Sequence, residues 1–164
     1  MLSPLGWRPY IQLDTFNRYH CQRRTAIMPP PIPIQSLNHI AVVTRHLDDS
    51  KRFYRDVLGF REISRPNFKF GGAWLFNYGL MIHIIGHDSQ TDSSTALEHG
   101  EIQTRDAHIA LHTDDLDSVE CLLSEHGVAF RKNEVSDRKI KQLFFHDPDG
   151  FHIEVGSYPP LPPE

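Results

Sequence analysis

Leu37-Asn-His-Ile-Ala-Val-Val-Thr44 returns later in the chain as Asp106-Ala-His-Ile-Ala-Leu-His-Thr113. His, Ile, Ala and Thr fall on the same places, 69 positions apart. At that offset Leu47 matches Leu116 and Asp48 matches Asp117. Further on, Gly79-Leu-Met-Ile-His83 matches Gly150-Phe-His-Ile-Glu154, now 71 positions apart, so the intervening loops have gained two residues. A unit that occurs twice decides the architecture before any single element does.

Each copy reads as strand, helix and three strands. Leu37–Thr44 alternates and is rich in β-branched residues, which predicts a strand. Leu47, Phe53, Tyr54, Val57 and Leu58 follow helical spacing, with Asp48 and Asp49 at the positive end of the helix dipole and Gly59 as the stop. The second copy predicts a helix through Leu116, Val119, Leu122 and Leu123, opened by Asp114 and Asp115 and closed by Gly127. Strands are expected near 60–65, 72–77 and 80–85, and near 128–134, 140–146 and 150–156. The fold class that follows is α+β: two tandem βαβββ modules forming a cupped mixed β-sheet. Module 1 runs over about 36–86, a polar linker over 87–104 and module 2 over about 105–157.

Residues i and i+2 of a strand share a face, and i+1 points the other way. His39 is followed by Ile40, which shares its face with Val42. His83 sits between Ile82 and Ile84. His108 is followed by Ile109, which shares its face with Leu111. Glu154 sits between Ile153 and Val155. In four strands the apolar face is defined and an imidazole or carboxylate points opposite. If the helices cover the apolar faces, His39, His83, His108 and Glu154 point into the cup. A pseudo-twofold axis between the copies would then gather them around one divalent metal, with Zn, Ni, Co, Fe and Mn all compatible with three imidazoles and a carboxylate. His112 and His152 share faces with His108 and Glu154, and either line the pocket or hydrogen-bond to the ligands. His46, His99 and His126 are expected at exposed turns or helix ends.

The flanks differ in character. Residues 1–35 hold Arg8, Arg18, Arg23 and Arg24 against one acid, Asp14, and end in Pro29-Pro30-Pro31-Ile32-Pro33, which suits neither helix interior nor central strand. They are read as a disordered leader, with Met28 as an alternative start. The tail Tyr158-Pro-Pro-Leu-Pro-Pro-Glu164 is expected to be extended. Cys21 and Cys121 form neither a CxxC pair nor a disulfide framework, which fits a reducing, cytoplasmic setting. A mitochondrial or plastid destination follows instead if the Arg-rich leader is a transit peptide. The 164 residues carry a formal net charge of -4. No basic run suggests a nucleic-acid partner and no apolar run reaches membrane-span length.

Asn38-His-Ile-Ala-Val, Ser50-Lys-Arg-Phe-Tyr-Arg-Asp-Val-Leu-Gly-Phe60 and His146-Asp-Pro-Asp-Gly-Phe-His-Ile-Glu154 resemble the vicinal oxygen chelate superfamily, which includes glyoxalase I, fosfomycin-resistance proteins and extradiol dioxygenases. Arg65-Pro-Asn-Phe with Gly72-Ala-Trp-Leu75 looks closest to plant-type glyoxalase I-like proteins. The resemblance implies a metal in a shared cup, and in many single-chain members a homodimer whose modules complete each site. It implies a small-molecule substrate, the methylglyoxal–glutathione hemithioacetal, isomerised to S-lactoylglutathione. The metal would bind the substrate's oxygens and stabilise an enediolate, and Glu154 would move the proton as general base.

Three positions depart from that pattern. His83 stands where glyoxalase I usually has Glu, Val43 where glutathione users carry Arg, and His87 where they often carry Asn. Two other readings therefore stay open. Two His and Glu154, without His39 or His83, resemble the facial triad of iron oxygenases, with Trp74, Phe76 and Phe144 as an aromatic pocket or as plain core. Alternatively, the fold serves as a metal-free binding module for a small molecule.

Overall fold

The computed structural model describes residues 31–87, 100–135 and 140–158. The leader up to residue 30, most of the linker with His99, and the tail from residue 159 lie outside the described residues. Residues 31–39 carry no regular element, and Ser36–Glu164 forms one contact unit.

The β-branched run after His39 forms β1, Ile40–Thr44. Helix α1 follows over Leu47–Arg52 and widens into a π-helical turn over Phe53–Val57. Then come β2 (Arg61–Ile63), β3 (Gly72–Asn77) and β4 (Leu80–Gly86). The second copy supplies β5 (His108–His112), α2 (Leu116–Glu125), β6 (Phe130–Val135), β7 (Ile140–His146) and β8 (His152–Ser157). Gly59 and Gly127, at φ +72° and +69°, end the two helices in the left-handed region that glycine enters without steric cost. Asp115 caps α2 by accepting the Ser118 N–H at 3.0 Å. β2 is shorter than expected, pairing with β3 only over Arg61–Ile63 and ending before Pro66, which has no N–H to give to a ladder.

The two modules repeat one topology. The strand orders are β1-β4-β3-β2 and β5-β8-β7-β6, giving two four-stranded mixed sheets. β1 runs parallel to β4, and β5 parallel to β8, while the other pairs are antiparallel. The α+β pair of βαβββ modules is as expected, with the strands divided between two sheets.

Both modules feed one hydrophobic core. Val42, Ala73, Leu75, Ile82 and Ile84 of the first sheet share it with Leu143, Phe145, Ile153 and Val155 of the second. The Phe53 and Phe145 rings meet across the modules with centroids 6.3 Å apart. A polar clasp joins the modules beside this core. The Asp147–Gly150 turn reaches across, and Tyr54 donates its hydroxyl to Asp147 Oδ2 at 3.0 Å. Asp149 accepts the Arg45 N–H at 2.9 Å and the Ser50 hydroxyl at 3.2 Å, and Thr44 also donates to it. The faces opposite this core carry His39 and His83 on one sheet and His108 and Glu154 on the other.

Candidate metal centre

The register places the four residues as the repeat demands. In module 1, His83 pairs with Ala41, two residues after His39. In module 2, Glu154 pairs with Ala110, two residues after His108. His39/His83 and His108/Glu154 are thus the same diagonal pair on equivalent sheets.

Module 2 presents its pair in direct contact. His108 Nδ1 lies 2.7 Å from the Asp106 carbonyl oxygen. A carbonyl only accepts, so Nδ1 carries the proton and donates. In the neutral ring Nε2 is then a bare lone pair, and it sits 2.7 Å from Glu154 Oε2. Two lone pairs at that distance need a proton or a cation to hold them there. Glu154 is 3% exposed, so water supplies little of that compensation. Its other oxygen, Oε1, accepts from Gln142 Nε2 and from the Tyr158 hydroxyl. Gln142 is itself held by Asn133, which donates to its Oε1 at 2.6 Å. The Phe144 ring stands edge-on to His108, centroids 5.6 Å apart.

Module 1 presents its pair stacked. The His39 and His83 rings lie 3.8 Å apart at 18°, and Trp74 lies on the other face of His83 at 4.3 Å and 3°. Burial, followed by the neighbouring His39, holds the His83 imidazole below its ordinary pKa. That keeps it neutral and able to donate a lone pair to a metal. Imidazole lone pairs lie in the ring plane, so two nearly parallel rings do not aim at one ion until one of them swings out of the stack.

The expectation that one chain gathers all four residues meets a different arrangement. Among the described residues no three His, Cys, Asp or Glu side chains are grouped to hold an ion. The donor types suit a borderline divalent metal, but they are divided into two half-sets on faces turned away from the shared core.

The other histidines sort differently. His112 accepts the Tyr158 N–H at 3.2 Å and faces Asp114 at 3.2 Å. His152 meets His146 at 2.8 Å, with Asp106 at 3.5 Å. His126 is exposed at the C-cap of α2, as expected. His46 is a correction: expected at an exposed turn, it is 8% exposed, and its Nε2 has no partner among the described residues. It occupies the N-cap position of α1, and its backbone N–H donates to the buried Thr44 Oγ1 at 2.9 Å. Val43 is 57% exposed on the His39 face. A cavity of about 520 Å³ between the first helix's end and α2, lined in part by Leu58, Leu80, Leu111 and Val119, includes none of the four candidate ligands.

Sequence reasoning missed Gln142, Asn133 and Tyr158. Glu154, Gly156 and Tyr158 follow the period of two on one face, which was the available signal.

Two βαβββ modules carrying repeat-related imidazoles and a carboxylate define a vicinal-oxygen-chelate fold. The sequence profile of the Glyoxalase/Bleomycin resistance protein/Dioxygenase superfamily matches residues 36–155, and the chain belongs to that superfamily. It is 39% identical over 137 residues to "Glyoxylase I 4" of Arabidopsis thaliana, covering 80% of this chain and 76% of that protein. It is 27% identical over 142 residues to the lactoylglutathione lyase of Schizosaccharomyces pombe, covering 74% of this chain but only 47% of that protein. Among solved structures, a variant of the Listeria monocytogenes fosfomycin resistance protein FosX, complexed with Mn(II) and 1S,2S-dihydroxypropylphosphonic acid, has a TM-score of 0.63 at 19% identity. That match covers 77% of this chain and 94% of the other. Among the described residues no helix is long and apolar enough to cross a membrane.

Proposed function

We propose that the chain is a metal-dependent lyase of the glyoxalase I type, acting on the methylglyoxal–glutathione hemithioacetal. The observation that carries this reading is the His108–Glu154 contact: with Nδ1 donating to the Asp106 carbonyl, Nε2 lies 2.7 Å from a buried carboxylate oxygen, a pair that a proton or a metal ion can bridge. The names of the Arabidopsis and fission-yeast relatives support the substrate class.

His39, His83, His108 and Glu154 would hold the metal, as two halves contributed by two copies of the chain. β1 and β5 each form one edge of their sheet. His39 immediately precedes β1, and His108 is the first residue of β5. A homodimer that sets the first sheet of one chain beside the second sheet of another would bring one half-set to the other. A bound divalent ion would polarise the substrate's oxygens and stabilise negative charge on them.

Glu154 does the proton work. Its carboxylate would take the proton from the carbon that bears sulfur and return it to the adjacent carbon, while the hydroxyl proton of the first carbon passes to the oxygen of the second. One carbon is oxidised as its neighbour is reduced, so no external oxidant is needed. Trp74 stacks on His83 and Phe144 stands edge-on to His108, which restricts how the two rings can turn.

The test is S-lactoylglutathione formation by purified protein, assayed together with its metal content. Turnover that depends on metal supports the reading. Stoichiometric metal without turnover would move it to a dioxygenase or another lyase in the same cup, and ligand binding at full affinity without metal would move it to a binding module.

A further inference from the structure

The geometry points to Tyr158 as a positioning residue that, with Gln142, holds Oε1 of Glu154 so that only Oε2 is presented to the metal half-site. This rests on the reading of Glu154 as a metal ligand. Tyr158 lies two strand periods beyond Glu154 on the same face, at the mouth of the Pro-rich tail. Its ring folds back over Gly156. A Cβ at Gly156 would lie 2.8 Å from Tyr158 Cζ and 2.8 Å from its hydroxyl oxygen, so only glycine leaves room for the ring in this place. The backbone end of the residue is fixed as well, because the Tyr158 N–H donates to His112 Nδ1 at 3.2 Å. From that anchor the hydroxyl donates to Glu154 Oε1.

Two donors therefore converge on one carboxylate oxygen, and the other faces His108 Nε2 at 2.7 Å. A carboxylate held by one oxygen binds a metal through the other and resists turning to chelate with both. Partners that orient metal ligands in this way affect metal affinity about 10–100-fold. Tyr158 is half-buried and absent from the hydrophobic core, and its ring meets His112 with centroids 6.1 Å apart.

The test uses full-length protein and two variants. Tyr158→Phe removes the hydroxyl and keeps the ring. Gly156→Ala keeps the hydroxyl and displaces the ring. Equilibrium dialysis with Co²⁺ and the cobalt absorption spectrum report affinity and coordination, while melting temperature and circular dichroism report folding. The His108 ring nitrogens in the metal-free protein, followed by ¹⁵N NMR, report whether Glu154 still faces His108. Both variants are expected to remain folded, bind Co²⁺ about 10–100-fold more weakly with an altered cobalt spectrum, and shift the His108 Nε2 resonance. Wild-type Co²⁺ affinity and an unmoved His108 resonance in folded Tyr158→Phe would overturn the positioning role. Wild-type protein that takes up no Co²⁺, but whose His108 resonance still responds to Tyr158→Phe, would overturn the metal reading and with it the role toward a metal, leaving only the hydrogen bond. The two failures are thus told apart.

Discussion

His108 Nε2 lies 2.7 Å from Glu154 Oε2, and the other ring nitrogen of His108 is committed to the Asp106 carbonyl. The pair is the same diagonal, cross-strand relationship that sets His39 beside His83 in the first module. Duplication has placed one candidate ligand pair on each sheet, and packing has turned the two polar faces away from a common core.

Replacing Glu154 with Gln keeps the shape and removes the charge. His108 Nε2 then faces a neutral amide in a buried setting, and half of the module 2 donor set is lost. The expected result is a loss of metal affinity of at least about 100-fold, or about 2.7 kcal/mol. Isothermal titration with Zn²⁺ checks it, with melting temperature confirming the fold. Retention of wild-type affinity would remove Glu154 from the ligand set.

Trp74 reports on His83 directly. The indole stacks on the imidazole at 4.3 Å and 3°, and His39 covers the ring's other face. Zn²⁺ binding that draws His83 out of this stack should raise Trp74 emission, measured in a Trp7→Phe background. In His83→Ala the response should vanish. A Zn²⁺-dependent rise that survives His83→Ala would place the ion elsewhere.

Val43 lies 57% exposed on the His39 face, where an added cation meets water and not core. Val43→Arg supplies the charge that glutathione-using relatives of this type carry. The expected outcome is a KM for the glutathione adduct lower by about tenfold, the size of one charge-assisted hydrogen bond, with kcat little changed. An unchanged KM would argue that the adduct's glutathione moiety lies elsewhere.

Asp147 makes stability fall with pH. Burial raises its pKa above 3.8, outweighing the N–H groups of Phe151 and Asp149 and the Tyr54 hydroxyl that it accepts. The folded state then binds this proton more tightly than the unfolded chain. Between 3.8 and the raised value the fold therefore loses stability as pH rises. Asp147→Asn should flatten that part of the profile, measured by urea unfolding across the acid range. Tyr54→Phe should cost about 1–2 kcal/mol by leaving a buried acceptor short of a partner. A profile unchanged in Asp147→Asn would refute the assignment.

Alternation made half of this site legible. Ile40, Ile82, Ile109 and Ile153 marked the buried faces, so the four polar residues between them had to share the opposite ones. The two helices were legible from Leu47 to Leu58 and from Leu116 to Leu123, because most of their apolar positions face the core, although Leu122 is exposed. The meeting of the two faces was not legible. It depends on how Phe53 packs against Phe145 and how Asp147 and Asp149 clasp Tyr54 and Ser50, which are contacts of long sequence separation that no local period encodes. The burial of His46 was not legible for the same reason, whereas Tyr158 over Gly156 follows the local period of two from Glu154 and was missed because the tail's prolines marked it as an extended end.

Subunit mixing tests whether two chains complete one centre. His83→Ala chains lack the module 1 half and Glu154→Ala chains lack the module 2 half, so neither homodimer has an intact site. A mixed dimer should regain one intact site, binding about one Zn²⁺ per two chains by elemental analysis. Mixed dimers, verified by mass spectrometry, that bind no more metal than either parent would contradict a site shared between chains.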